Sequence, residues 1–272
     1  MHRIPAIALC LLASAVTALA AEDNETIRQS FGAPAQLEVR NVNGRIRVTA
    51  ANTPNIQLVA AKHLEADDQA DLAQLRSEVR LDIQETGGRL RICVIQPWDD
   101  CRGNENRRSE NRRWRDRRDF EVRVDLELQV PARTEIDLRV INGPVEATGI
   151  QAPFRVESVN GKVTLTEMEG SGSAHAVNGA IKLSFARVPT DPVDVKTVNG
   201  EIEAVFPRTT NAKLSFKTFQ GEVFTDFPTT GNVSNTRNGS RWNQEFSVNI
   251  GSGGNPEHRF ETLNGRIQIA QR

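Results

Sequence analysis

A Val-Asn-Gly motif or a near relative recurs along this 272-residue chain, and it constrains the fold more than any other feature. VNG begins at Val42, Val159, Val177 and Val198, ING at Ile141, FQG at Phe219 and LNG at Leu263. The dyads are Asn43-Gly44, Asn142-Gly143, Asn160-Gly161, Asn178-Gly179, Asn199-Gly200, Gln220-Gly221 and Asn264-Gly265. Four residues before each Asn or Gln stands an apolar residue: Val39, Leu138, Val156, Ala174, Val195, Phe216 or Phe260. Three after it stands another: Ile46, Val145, Val163, Ile181, Ile202, Val223 or Ile267.

Asn-Gly between strands ordinarily signals a two-residue hairpin, because both residues tolerate positive φ. In that hairpin the residues flanking the dyad share a face. Here the flanking residues conflict: an apolar residue precedes, and Arg45, Lys162, Glu201, Glu222 or Arg266 follows in five copies. The pattern is consistent if parity breaks at the dyad, so that positions four before and three after both point inward. Outer positions are then of opposite sign in four copies, Glu157 with Lys162, Lys196 with Glu201, Lys217 with Glu222 and Glu261 with Arg266.

Two geometries satisfy this phase, a four-residue hairpin loop or the corner of a β-solenoid coil. Spacing favours the solenoid. From Asn142 the dyads step by 18, 18, 21 and 21 residues, and Asn264 follows after two more such steps. Coils that return to one corner produce such periods. Their Asn side chains can stack as an amide ladder, with Gly supplying a left-handed corner conformation. The fold class is therefore all-β, a right-handed β-helix-like stack of 18–21-residue coils, with an antiparallel meander of hairpins as the alternative. Aligned Thr197, Thr218 and Thr262 are read as ladder residues.

Elsewhere strict alternation marks half-buried strands. Phe120, Val122, Val124, Leu126, Leu128 and Val130 alternate with Glu121, Arg123, Asp125, Glu127 and Gln129, and shorter runs occur at Val79–Ile83, Leu90–Val94 and Ile136–Val140. One helix is expected over 66–77, with Asp67 and Asp68 in its first turn and Ala70, Leu72 and Leu75 as a weak apolar stripe. The domain reading is a signal peptide over 1–20, an elaborated N-terminal β part over 21–131, and a regular solenoid over 132–272 continuous with it. A Gly- and Asn-rich stretch from Thr229 to Pro256 interrupts the last coils.

The N-terminus reads as Met1-His2-Arg3, an apolar run from Ile4 to Leu19, and Ala18-Leu19-Ala20 before Ala21. That is a secretory signal cleaved after Ala20. An uncleaved anchor is the alternative, but the run falls short of the roughly 20 apolar residues a span needs. Cys10 follows Leu9 where a lipoprotein signal wants a small residue, so lipidation is not expected. The remaining Cys93 and Cys101 are expected to pair in an oxidising space, worth on the order of 2–3 kcal/mol for so short a loop. Cys-x7-Cys lacks a second ligand pair, so zinc is not expected. The mature protein is placed in the periplasm, outside the cell or at its surface.

Net charge is −1, which disfavours a globally basic nucleic-acid binder. Charge is nevertheless concentrated between Cys101 and Phe120, where Arg102, Arg107, Arg108, Arg112, Arg113, Arg115, Arg117 and Arg118 surround Trp114. Such a loop can meet anionic lipopolysaccharide, glycans or headgroups. Glu105, Glu110, Asp116 and Asp119 partly neutralise it, and a solvated loop tethered by a Cys93–Cys101 bridge is the plainer reading. Catalysis finds little support: Asp67-Asp68, Asp99-Asp100, Asp191 and Asp194 do not recur at coil spacing, and His63, His175 and His258 are scattered. No metal or cofactor is expected.

The chain is similar over nearly its mature length to the "putative adhesin" family of bacterial envelope proteins. The resemblance rests on NVNGRIRV at Asn41–Val48, VDLELQVP at Val124–Pro131, the serial VNGKVTL, VNGAIKL and VNGEIEAVFP segments, and ETLNGRIQI after GSGG at Gly251. It implies a β-helix-like fold, export and a non-enzymatic envelope role, and brings no site residues. The Arg-rich insert departs from the family pattern. The expected function is an interaction or scaffold module binding surface polymers or proteins. The alternatives are an accessory or sensor of envelope-stress signalling and, less favoured, a glycan-active enzyme.

Overall fold

The break of parity at each dyad is a change of sheet. A computed structural model of the protein describes residues 21–99, 120–235 and 244–272. Its first part contains β1 (Ala21–Phe31), β2 (Gln36–Asn43), β3 (Ile46–Ala51), β4 (Ile56–Ala66), α1 (Gln69–Glu78), β5 (Arg80–Thr86), β6 (Arg89–Ile95) and β7 (Phe120–Pro131). Strand pairs then follow: β8 (Glu135–Asn142) with β9 (Val145–Thr148), β10 (Phe154–Asn160) with β11 (Val163–Met168), β12 (Gly172–Asn178) with β13 (Ile181–Phe185), and β14 (Asp194–Asn199) with β15 (Ile202–Phe206). The chain ends with β16 (Ala212–Gln220) and β17 (Val223–Thr225), β18 (Thr229–Asn235), β19 (Gln244–Ile250), and β20 (Glu257–Asn264) with β21 (Ile267–Gln271).

In each pair the first strand ends on the dyad Asn or Gln and lies in an 11-stranded sheet; the second lies in a 10-stranded sheet. Neighbouring coils pair in parallel and in register, Asn160 with Asn142 and Asn178, Val163 with Val145 and Ile181. That arrangement is a two-sheet solenoid and excludes the hairpin meander for these coils. Positions four before and three after the dyad, such as Val156 and Val163, are fully buried between the sheets. Antiparallel pairing occurs towards the ends, in β1–β4–β7, β5–β6 and β16–β19–β18. Helix α1 begins three residues later than expected, because Asp68 caps it, accepting bonds from the Ala70 and Asp71 N–H groups at 2.9 and 2.8 Å. It buries Leu72 and Leu75 against the β1–β4 end, while Ala70 is exposed.

Stacking departs from chain order at the C-terminus. The last coil, β20–β21, inserts between β14–β15 and β16–β17, so Asn264 neighbours Asn199 on one side and Gln220 on the other. The missing dyad after Gln220 is thus a detour: β18 and β19 pair back along β16 before the chain returns to the gap. Phe260 there stacks on Phe216 at 5.8 Å and meets Phe206 edge-on at 6.2 Å, filling a core held elsewhere by smaller residues such as Ala174 and Val195.

The four expected charge pairs do not form. Their members flank the corner, and a neighbouring coil is closer, at roughly 4.8 Å. Arg266 bonds Glu201 and Lys217 bonds Glu261, both at 3.3 Å and both between coils, while Lys196 turns to Asp194 and Glu157 to Arg155.

Candidate interaction surfaces

Two sets of bonds repeat along the corners, and a third is added at three of them. Backbone bonds join successive glycine N–H groups to the next coil's Asn carbonyl, for example Gly143 to Asn160 at 2.9 Å. The Asn amides form a ladder in which Asn142 donates to Asn43, Asn160 to Asn142, Asn178 to Asn160, Asn199 to Asn178 and Asn264 to Asn199, at 2.8–2.9 Å. Buried hydroxyls two residues before the dyad donate to a glycine carbonyl of the adjacent coil: Ser158 to Gly143, Thr197 to Gly179 and Thr262 to Gly200. Thr218, the last of that row, has no partner for its hydroxyl.

Gly44, Gly143 and Gly265 lie at φ 123°, 150° and 157°, as expected of the corner, but at the other four dyads glycine is required for a different reason. At Gly161, Gly179, Gly200 and Gly221 the backbone is outside the left-handed region. A Cβ at these four positions would instead lie 1.9–2.1 Å from a glycine carbonyl oxygen of the adjacent coil.

The residue just before each dyad faces out. Ile141, Val159, Val177, Val198, Leu263 and Phe219, in spatial order, are 38–44% exposed. Six adjacent strands carry them, so the row extends roughly 24 Å beside the amide ladder. At β2 the equivalent Val42 is buried and the row stops. Parity makes this row legible in the sequence, because it shares the outward phase of the charged position two residues earlier.

Beyond that end lies a cleft of about 490 Å³. Asn43, Gly44, Arg45, Asn142 and Pro144 contribute from the corners, and Trp98, Phe120, Glu121 and Arg123 from the flanking segments. Trp98 and Phe120 pack at 5.3 Å. Arg123 is committed to Asp125 through two bonds, at 3.2 and 2.7 Å, and the Arg45 N–H also donates to Asp125 at 2.8 Å. Burial opposes ionisation of Asp125, but these partners outweigh it and hold its carboxyl below the usual range. The charge of the Arg45 guanidinium also acts on Asp125, but it forms no close ion pair among the described residues, and its Nε is buried without a hydrogen-bond partner. An adjoining cleft of about 420 Å³ shares Glu121 and Arg123. There Lys62 is buried and paired with Glu25 at 2.6 Å, which lowers the Glu25 pKa.

The remaining sequence candidates are dispersed. Cys93 is buried on β6, whereas Cys101, Arg107, Arg108, Arg112, Arg113, Trp114, Arg115, Arg117 and Arg118 lie outside the described residues, as does the signal region 1–20. Asp68 caps α1, Asp191 accepts from Thr190, and Asp194 pairs with His175 and Lys196, which lower its pKa against the effect of burial. His63 contacts Asn24 and Glu22 through its Nδ1, at 2.8 and 3.4 Å. His258 is buried against Phe206. Among the described residues no group of three His, Cys, Asp or Glu is placed to hold a metal, and no helix is long and apolar enough to cross a membrane.

The repeated two-sheet coil has a counterpart in a family model, Toastrack DUF4097, which matches residues 33–253. The chain belongs to the Toastrack family. No curated protein matches it. Among solved structures, a "putative cell adhesion protein" from Clostridium sporogenes is 11% identical, covering 92% of this chain and 100% of that one with a TM-score of 0.44. A "putative adhesin" from Bacteroides fragilis is 10% identical, covering 91% and 97% with a TM-score of 0.40. A "putative lipid binding protein" from Parabacteroides distasonis is 10% identical, covering 92% and 97% with a TM-score of 0.31. Likenesses so remote assign no ligand to this Toastrack chain.

Proposed function

We propose that the chain is an exported, non-catalytic interaction module of the bacterial envelope that binds an extended surface polymer along its coil axis. The observation that carries this reading is the row from Ile141 to Phe219: apolar side chains at one coil repeat, held rigid by the amide ladder beside them. A surface locked by repeating backbone and amide bonds suits binding without induced fit, because little side-chain freedom is lost on contact.

On this reading the signal is removed after Ala20 and the protein works in the periplasm or at the cell surface. Residues 21–131 and 132–272 act as one continuous unit. Cys93 and Cys101 pair and tether the Arg-rich segment 102–118, which adds an electrostatic contact to lipopolysaccharide phosphates or acidic glycans. Catalysis is not part of the reading, because the acidic and His residues above do not converge.

Binding of the purified mature protein to lipopolysaccharide and to anionic vesicles, across a salt series, tests both contributions. Removing residues 102–118 is expected to abolish the salt-sensitive part. Val159→Lys with Val177→Lys is expected to reduce the salt-insensitive part by tenfold or more. Binding unchanged by all of these substitutions would reject the proposal.

A further inference from the structure

The geometry points to the 490 Å³ cleft at the first dyad as a binding site for a pyranose bearing one anionic group, a carboxylate or a phosphate. The inference deepens the binding role proposed above and rests on it, since it names the chemistry of one site on the module.

Three independent features converge there. The amide ladder has a direction: all five bonds run from a later Nδ2 to the Oδ1 nearer the first coil, ending on Asn43. Asn43 therefore accepts from Asn142 but its own Nδ2 donates to no acceptor among the described residues, and it lines the cleft. Hydrogen bonds in a chain polarise one another, so the terminal N–H is the positive end of the whole column. The second feature is Arg45, whose Nε is buried and unpartnered. A guanidinium N–H buried without an acceptor is costly to leave so; Asp125 acts on Arg45 only through its charge, and a carboxylate or phosphate in the cleft can engage the fork with two parallel bonds. Arg123 does not compete for that anion, being held by Asp125.

The third feature selects a sugar over a bare ion. Trp98 and Phe120 form an aromatic wall on the same cleft, suited to the apolar face of a pyranose, and exposed Glu121 can accept hydrogen bonds from ring hydroxyls. The volume lies within the range of small-ligand pockets.

Calorimetric titration of the full mature chain with glucuronate, glucose 6-phosphate, glucose and inorganic phosphate tests the site. At least one of the two acids is expected to bind ten times more tightly than glucose or inorganic phosphate. Preference for glucuronate would identify acidic polysaccharide as the source, and preference for glucose 6-phosphate a phosphorylated envelope sugar. Arg45→Gln and Asn43→Asp are each expected to weaken the acid at least tenfold and to weaken glucose much less, with thermal melts confirming that the variants fold. Trp98→Leu is expected to weaken both acid and neutral sugar. The inference is overturned if neither acid outbinds glucose, if inorganic phosphate binds as well as the sugars, or if folded Arg45→Gln binds as wild type. Polymer binding that persists in that case would leave the broader proposal standing.

Discussion

The two ends of each coil solve the same problem differently. At the dyad end every coil crosses between sheets in two residues, and repeating ladders of amides, hydroxyls and backbone bonds satisfy the polar groups. At the far end the crossing takes five residues at 149–153, three at 169–171 and eight at 186–193, and the bonds are made individually. Val193 N–H finds the His258 Nδ1 at 3.2 Å, Asp191 N–H finds the Ser171 hydroxyl, and Glu167 at φ 55° pairs with Arg272. The comparison shows that closeness follows shortness. At and just after the three-residue far crossing glycines again sit in tight contact with backbone, where a Cβ on Gly170 or Gly172 would lie 1.9 Å from the carbonyl oxygen of Ala152 or Phe154. Periodicity therefore belongs to the short corner, and the variation between 18 and 21 residues is absorbed by the other.

The sharpest contrast is between two glycines. Gly179→Ala drives a Cβ to 2.0 Å from the Gly161 carbonyl and forces backbone apart, whereas Gly149→Ala, at a far crossing, meets a Cβ of Ala50 at 3.3 Å and mainly bears left-handed strain at φ 74°. Equilibrium unfolding should show a loss of about 3 kcal/mol for the first and about 1 kcal/mol for the second. Equal losses would mean that the dyad corner is not the more tightly stacked one.

A pH series separates the two ends in another way. Burial lowers the His258 pKa to about 4 from 6.5, and its Nε2 has no partner. Between those values the unfolded chain binds a proton that the folded chain refuses, so stability is complete above pH 6.5 and falls as pH drops towards 4. The loss should reach up to about 3 kcal/mol near pH 4. His258→Gln should remove that component of the slope. The Asn ladder, having no titrating group, should contribute none of it.

Asn178→Ala removes two ladder bonds but leaves both former partners open to water, so about 1 kcal/mol is expected by denaturant titration. Glu201→Ala deletes an exposed inter-coil pair with Arg266 and should shift stability by less than about 0.5 kcal/mol. A larger loss at Glu201 than at Asn178 would invert the account of what holds the corner.

Most of the coil is legible in the sequence. The apolar phase around Val156 and Val163 forced a parity break, and regular steps from Asn142 to Gln220 announced stacking. Two things are not fully legible. Insertion of β20–β21 leaves no local mark, because Asn264 carries the same motif wherever its coil sits, and only the clustering of Phe206, Phe216 and Phe260 hints at a shared core. The role of glycine is only half legible for a related reason: positive φ holds at Gly44, Gly143 and Gly265, but a tight contact between residues 18 or 21 apart in sequence is invisible in the tripeptide that contains it. The cleft was equally hidden, since Arg45, Trp98 and Phe120 come from segments that converge only after the first coil closes on β7.

The central claim is a single column of dyads in the spatial order Asn43, Asn142, Asn160, Asn178, Asn199, Asn264, Gln220. Cysteine pairs at the exposed positions beside it test that order directly, because a disulfide needs Cα atoms about 4.4–6.8 Å apart and adjacent strands lie roughly 4.8 Å apart. Val198→Cys with Leu263→Cys should cross-link on mild oxidation, read by peptide mass spectrometry, and Val198→Cys with Phe219→Cys should not. Efficient cross-linking of the second pair but not the first would contradict the inserted coil and, with it, the column.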